Sequence, residues 1–289
     1  MVLQLLIAGI ALGSIYALLA LALVLIHKAT EVVNFAQGEM AMVGTFISYV
    51  LVKNLGLPLP LVLILALPLG LALGGITELL AIRPLAGSPP VNLLIVSIGL
   101  WMVFHYSAGW IWGYDPLSFP SLLPEKPIVV LGLHLSLNSL AITGISFLLV
   151  AGLFVFFEYT REGAAMRAAS GNPKAARLMG VKVPRVSTLS WMIGGAISQV
   201  MGLLVAPLIF IDVDMMVSTL LKAFAGAILG GFNSLPGAIV GGIAIGVIEN
   251  FIGAYVSMAF KESFSFLVII GVLMFRPTGL FGAVGRRRV

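Results

Sequence analysis

The sequence contains no cysteine, and only 9% of its 289 residues are charged. The absence of cysteine excludes disulfides, thiolate catalysis and cysteine-ligated zinc. A soluble protein with so few charged side chains would lack a polar surface. With 60% apolar residues and a mean hydropathy of +1.14, the composition indicates an integral membrane protein.

The apolar residues form long runs, which predict membrane-spanning helices. Crossing the hydrocarbon core takes about 20 apolar residues, and runs of this length occupy residues 3–26, 59–82, 91–112 and 137–157. Strands of a membrane barrel alternate polar and apolar residues instead. The first run has no basic residue before it and continues to residue 26, so we expect a retained span and not a signal peptide. The sequence therefore predicts an all-α, polytopic transmembrane helix bundle.

Basic side chains are unevenly distributed, and their positions predict the topology. They are concentrated in residues 158–186 and towards the C-terminus, as Arg161, Arg167, Lys174, Arg177, Lys182, Arg185, Arg276, Arg286, Arg287 and Arg288. Cytoplasmic loops carry the excess of Lys and Arg. We therefore expect residues 158–186 and the C-terminus in the cytoplasm, and residues 113–136 outside. This bias explains the basic cluster without nucleic-acid binding.

When the chain is traced through the membrane with these loops fixed on their expected sides, it makes about nine passes, with the N-terminus outside. The predicted passes are residues 3–26, 40–52, 59–82, 91–112, 137–157, 188–211, 217–231, 238–256 and 264–275. We expect them to form a single transmembrane domain over residues 1–289. Glycines four residues apart predict close helix packing, in the pairs Gly9/Gly13, Gly70/Gly74, Gly226/Gly230, Gly237/Gly241 and Gly242/Gly246.

Two segments interrupt the apolar pattern. Residues 34–39 are polar and precede a short apolar run, and residues 230–237 are rich in glycine. In transporters such interruptions are typical of discontinuous helices near the substrate path. An ordinary turn between helices explains each segment equally simply.

Ionisable residues inside apolar spans are functional candidates because burying them is costly. Four residues qualify, namely Glu39, Glu78, Lys222 and Glu249. We expect Glu78 to pair with Arg83 or to extend to the nearby membrane face. Lys222 and Glu249 lie in neighbouring predicted spans, where they either pair structurally or line a polar route. Glu39 either belongs to that route or stabilises the start of its helix.

Sequence motifs of enzymes are missing. There is no phosphate-binding loop and no Gly-x-Ser-x-Gly motif, and the three histidines are far apart. We therefore do not expect an enzyme, and we expect no catalytic residue, no metal site and no cofactor in this chain. If nucleotide drives transport, the ATPase is another chain.

A short helix is predicted within the basic loop. Asn172 suits an N-cap, Pro173 the first helical position and Gly180 the C-terminal stop. Between them Ala175, Leu178 and Met179 share one face of the helix. That apolar face either docks on a partner protein or packs back on the chain's own bundle.

Several motifs resemble those of permeases of ATP-binding cassette (ABC) importers, most closely the branched-chain amino acid permease family of the LivH type. The similar segments are residues 13–21, 34–39 (Asn-Phe-Ala-Gln-Gly-Glu), 83–85, 161–163, 166–168, 172–181, 221–224, 229–231, 236–238, 241–242 and 275–282. The resemblance extends over nearly the whole chain. Its most specific motif is residues 34–39.

The resemblance implies an importer in the bacterial inner membrane with several other subunits. These are a homologous permease subunit of the LivM type, two cytoplasmic ATPases that use ATP and Mg²⁺, and an extracytoplasmic substrate-binding protein. It favours docking of the short helix on an ATPase, through Asn172, Pro173, Lys174, Ala175, Ala176, Arg177, Leu178, Met179 and Gly180. The substrate path is expected at Asn34, Gln37, Glu39, Lys222 and Glu249.

Branched-chain or related small amino acids are the expected substrates, and three alternatives stay open. The first is an ABC permease for urea, amides or sugars. The second is an ion- or proton-coupled transporter of a small polar solute. The third is a structural membrane subunit whose partner forms the whole path.

Overall fold

A computed structural model describes residues 2–121, 123, 128–130 and 133–282. These residues form eleven α-helices and one antiparallel two-stranded ribbon. The helices are α1 Val2–Thr30, α2 Gln37–Lys53, α3 Leu59–Thr77, α4 Pro90–Trp112, α5 Leu137–Tyr159, α6 Arg161–Gly171, α7 Pro173–Leu178, α8 Val183–Val205, α9 Val217–Gly230, α10 Leu235–Tyr255 and α11 Met258–Phe275. The ribbon pairs β1 (Ile128–Val130) with β2 (Leu133–Leu135). The predicted helical bundle is therefore confirmed, with this ribbon added outside its helices.

Every predicted pass coincides with a helix, but not every helix has the length of a span. Six helical segments in the described part of the chain are long and apolar enough to cross a membrane: Val2–Thr30, Leu59–Leu85, Pro90–Trp112, Leu137–Tyr159, Val183–Val205 and Leu235–Tyr255. Helix α9 and residues Ser263–Phe275 of α11 are apolar but shorter, and α2 has 17 residues. The fold is thus a multi-pass membrane bundle in which some helices are short.

Predicted passes differ from the helices at their ends, most clearly at both ends of α8. Residues 188–211 were expected to form a single helix, whereas α8 covers Val183–Val205. The helix starts earlier because Pro184 is well suited to its first turn. It ends earlier because Pro207 has no backbone N–H to continue the helical hydrogen bonds. Beyond it, Ile211 forms an isolated antiparallel bridge with Leu117.

The core of the bundle is formed around α1, which is enclosed from Gly13 to Ile26. Helix α10 crosses α1 so closely that a methyl group on Gly246 would overlap the backbone of Gly13. A methyl group on Gly74 of α3 would likewise overlap the carbonyl of Trp191 in α8. All five predicted glycine pairs lie at such helix contacts, which confirms their packing role. In contrast, α4 and α5 leave many apolar side chains exposed, as expected for lipid-facing helices.

The end of α3 is irregular. A π-helical turn over Glu78–Ile82 and a 3₁₀ turn over Arg83–Leu85 follow the regular helix. The Glu78 carboxylate is buried and lies 3.2 Å from the Arg83 guanidinium. It also accepts a hydrogen bond of 3.0 Å from the Thr188 hydroxyl. The predicted pairing of Glu78 with Arg83 is therefore confirmed.

The two interrupted segments differ in structure. Residues 231–234 form a short surface turn between α9 and α10, with φ of +106° at Gly231, so the ordinary-turn interpretation is correct there. After α11, the N–H groups of Leu280 and Phe281 donate to the carbonyls of Leu229 and Gly230, which completes the end of α9. Residues 31–36 instead enter the interior of the bundle. The predicted C-terminal segment 286–288 lies outside the described residues.

Candidate functional site

The break between α1 and α2 places polar groups inside the bundle. The chain leaves α1 through Glu31, whose φ of +60° is uncommon for a residue other than glycine. Asn34 is 1% exposed, and its Oδ1 accepts a 3.0 Å hydrogen bond from the N–H of Ala36. Its Nδ2 donates to Gln37 Oε1 at 2.7 Å. Asn34 therefore stabilises the turn that begins α2 within the protein interior.

Gln37 connects this turn to α8. It is fully buried, and its Nε2 donates to the carbonyl of Gly194 at 3.1 Å and to the hydroxyl of Ser198. Gly194 and Ser198 lie near the middle of α8. Helix α2 consequently begins at about half the depth of the bundle. No side chain caps its first turn.

Glu39 lies near a polar cluster on α4 that the sequence did not indicate. Its side chain forms a hydrogen bond with Trp101, and its Oε2 lies 3.6 Å from Nδ1 of His105. The rings of Trp101 and His105 stack at 5.3 Å. Glu39 is 2% exposed, and neither Glu39 Oε2 nor His105 Nδ1 has a hydrogen-bond partner among the described residues. An ion pair forms here only when the imidazole is protonated.

Lys222 and Glu249 form a second buried cluster. Lys222 Nζ donates to Glu249 Oε1 at 2.9 Å, and Glu249 is completely buried. The Nζ of Lys261, on α11, lies 3.5 Å from the same oxygen. Lys222 Nζ also lies 5.9 Å from the ring centroid of Tyr16. Of the two roles expected for Lys222 and Glu249, the structure shows the pairing, with Lys261 as an additional cation that sequence reasoning missed.

The two clusters are separate, although the helices that carry them meet. The rings of Phe35 and Phe224 stack at 5.6 Å. At Gly38, an added Cβ would lie 3.2 Å from the Cβ of Met216 and 3.4 Å from a methyl group of Leu220. The N-terminal ends of α2 and α9 are thus in contact inside the bundle. Their packing leaves little space for a side chain at Gly38.

A cavity of about 320 Å³ lies beside the second cluster, between α9 and α11. Lys222 and Ser218 line it from α9, Ser263 and Ser265 from α11, and Asp214 from the segment before α9. The cavity therefore has one basic and one acidic group on its walls. Among the described residues, no three His, Asp or Glu side chains are grouped so that they would hold a metal ion.

Helix α7 has the ends that its sequence predicts. Asn172 Oδ1 accepts a 3.0 Å hydrogen bond from the N–H of Ala175, and Gly180 has a φ of +85°. Ala176 is buried against the bundle. Leu178 is 89% exposed and Met179 85% exposed. The apolar face of α7 is therefore uncovered in this chain.

The chain is similar to a set of transport proteins over nearly its whole length. The family described as "Branched-chain amino acid transport system / permease component" matches residues 5–273. High-affinity branched-chain amino acid transport system permease protein LivH of Salmonella typhimurium is 32% identical, over 95% of this chain and 93% of its own length. Permease protein BraD of Pseudomonas aeruginosa is 30% identical, over 97% and 95% respectively.

One solved structure shares the fold. It is described as PsaBC from Streptococcus pneumoniae in complex with Fab, and its matched chain superposes with a TM-score of 0.51 at 15% identity. The match covers 95% of this chain and 91% of that chain. At this identity the similarity concerns the arrangement of helices alone.

Proposed function

The chain belongs to the family of branched-chain amino acid transport system permease components, and from this membership we propose that it is the permease subunit of an ABC importer. It would carry branched-chain or related small amino acids across the bacterial inner membrane. The main support for this proposal is the 32% identity to a LivH permease over 95% of the chain. The exposed apolar face of α7 is the structural feature that supports coupling to a second protein.

The proposed complex contains a homologous permease subunit, two cytoplasmic ATPases that use ATP and Mg²⁺, and an extracytoplasmic binding protein. In this arrangement each ATPase receives a coupling helix in a groove, and α7 is that helix here, with Leu178 and Met179 as its apolar contacts. Closure of the ATPases then pushes on α7 and changes the packing of the spans. The energy of transport comes from another chain.

The proposed topology has nine passes, with the N-terminus outside and the C-terminus in the cytoplasm. The positions of the basic residues support this orientation. The bridge between Leu117 and Ile211 agrees with it, because both residues are expected outside. The hydrogen bond from Lys28 to the carbonyl of Asn233 also agrees, because both are expected inside.

We propose that the substrate path follows the discontinuous part of the bundle, past Asn34, Gln37 and Glu39. The positive end of a helix that starts inside a membrane is suited to a substrate carboxylate, and the uncapped N-terminus of α2 lies there. The cavity beside Lys222 is a second, separate part of the proposed path. Its opposite charges, on Lys222 and Asp214, suit a zwitterion.

The test is uptake of labelled leucine into vesicles that contain this chain with its co-purified partners, with and without internal ATP. Uptake that requires both ATP and the binding protein supports the proposal. Uptake driven by a proton gradient without ATP would replace it with secondary transport. ATP hydrolysis stimulated by the binding protein, without leucine uptake, keeps the importer and moves the substrate to another class such as urea, amides or sugars.

A further inference from the structure

A large groove lies where α7, the start of α8 and the irregular end of α3 meet. Its volume is about 790 Å³. Four cationic side chains line it, namely Arg83, Arg177, Lys182 and Arg185. We call it the basic groove. Arg177 and Gly180 belong to the segment expected to dock on an ATPase, but the exposed apolar side chains of that segment, Leu178 and Met179, do not line the groove.

The charge of the basic groove is only partly neutralised within the chain. Arg83 pairs with Glu78 at 3.2 Å, and Arg185 pairs with Glu162 at 2.9 Å. Arg177 and Lys182 have no acidic side chain within 4.0 Å in the described part of the chain. The groove is therefore left with an excess of positive charge that an anion would balance.

The start of α8 adds to this positive potential. Lys182 occupies the N-cap position, and no side chain caps the helix there. The N-terminus of this 23-residue helix carries a partial positive charge, although Pro184 has no N–H and the N–H groups of Arg185 and Val186 already donate to the Lys182 carbonyl. Cations and helix end thus converge on one place, which is a favourable arrangement for a phosphate group.

Apart from Thr188, the other walls of the groove are apolar. Val181 and Val183 line it near the start of α8, and Leu189 and Met192 line it further along the same helix. With a rise of about 1.5 Å per residue, Met192 lies roughly 13 Å along α8 from Val183. The groove therefore continues from the end of the bundle into a membrane-spanning segment.

From these contacts we propose that the basic groove binds an anionic phospholipid, with its phosphate at Lys182 and its acyl chain along Leu189 and Met192. A soluble anion would gain no favourable contact with the apolar part of the groove. A segment of a cytoplasmic protein would have to enter the hydrocarbon region to fill it. Basic pockets beside spans on the cytoplasmic side are suited to anionic headgroups. Because Arg177 of α7 also lines the groove, the lipid would connect α7 to the spans.

The test measures how much phosphatidylglycerol the assembled transporter retains after washing, counted by native mass spectrometry, with phosphatidylcholine as the zwitterionic comparison. We expect wild type to retain phosphatidylglycerol preferentially. Lys182→Ala should retain about fivefold less, as expected for one cation at a membrane surface. Lys182→Arg should behave as wild type. The matched control is Arg161→Ala, which removes an exposed cation of α6 outside the groove.

A second variant tests the apolar part without changing the charge. Leu189→Trp fills the wall along α8 and should also reduce retention. The proposal is overturned if both lipids are retained equally, or if Arg161→Ala and Lys182→Ala lower retention alike. Competition by soluble glycerophosphoglycerol at equal concentration would indicate an anion site and not a lipid site. Unchanged lipid retention with weakened ATPase binding in Lys182→Ala would assign the groove to the ATPase.

Discussion

At the scale of single residues, Glu249 is the centre of the buried ion cluster. It lies 2.9 Å from Lys222 and 3.5 Å from Lys261, so its replacement leaves two cations without their carboxylate. Removing one partner of a buried pair costs about 3–5 kcal/mol. We expect Glu249→Gln to destabilise the fold by about this amount and Lys222→Met by less, because Lys261 still balances Glu249.

The stabilities of the two variants are compared by measuring the thermal unfolding midpoint of the purified complex in detergent. Lys53→Met serves as the control, because Lys53 is exposed at the end of α2 and its loss should leave the midpoint unchanged. A larger effect of Lys222→Met than of Glu249→Gln would contradict the shared-carboxylate interpretation.

Residue pairings were predictable only where neighbouring spans limited the choice. Glu78 and Arg83 are five positions apart, so their pairing was expected. Lys222 and Glu249 lie in consecutive apolar helices, where pairing was one of the two roles expected from the sequence. The contacts of Glu39 with His105 and of Gln37 with Ser198 do not follow from the sequence. Their partners are 66 and 161 positions away, and the way helices pack around α1 decides which of many polar residues they meet.

At the scale of secondary-structure elements, the most specific prediction concerns the docking of α7 on an ATPase. Leu178 is 89% exposed in the chain alone, so Leu178→Glu should change the stability of the permease by no more than about 0.5 kcal/mol. If α7 docks in an apolar groove of an ATPase, the new carboxylate is desolvated on docking. We expect ATP hydrolysis stimulated by the binding protein to fall about tenfold or more, which corresponds to roughly 1.4 kcal/mol.

The matched control for α7 is Arg161→Glu, which adds negative charge to the neighbouring helix α6 and leaves α7 intact. It should retain most of the stimulated activity. Leu178→Ala should have an intermediate effect, since it removes contact area without adding charge. Full activity of Leu178→Glu would mean that the apolar face of α7 does not couple the subunits.

The sequence predicts helices well where their ends carry local signals. Asn172, Pro173 and Gly180 are enough to predict α7, because a cap, a favoured first residue and a positive-φ stop act within one turn. The start of α8 was misplaced because its first turn contains a charged residue although it is helical, and its end was misplaced because the apolar run continues past Pro207. Apolar runs alone also cannot distinguish a full span from a short helix that starts inside the bundle, as α2 does.

At the scale of the whole molecule, the first turns of two short helices are in contact inside the bundle. The N-terminal turn of α2 packs at Gly38 against Met216 and Leu220 at the start of α9. The sequence indicates that both helices are short, but the meeting point depends on how the chain re-enters the bundle after α1 and after α8. A nine-pass topology requires both short helices, together with the segments that precede them, to cross the membrane.

Because the chain has no cysteine, single introduced cysteines are its only thiols and test this topology directly. The exposed positions chosen for substitution by cysteine are Asn54, Asp115 and Val256 for the outer side, and Ala86, Lys174 and Asn233 for the inner side. We expect a membrane-impermeant maleimide to label the first three in intact cells and the other three only after permeabilisation.

Each pair of labelled positions tests one part of the membrane topology. Asn54 and Ala86 flank α3, and labelling of both from one side would mean that α3 does not cross the membrane. Lys174 and Asn233 are separated by α8 and α9, so they share a side only if the short helix α9, with the segment before it, completes a return pass. Outside labelling at Asn233 would make α9 a partial, re-entrant helix. In that case Lys28, which donates to the Asn233 carbonyl, would lie on the outer side, and the inward direction expected for α1 would be wrong.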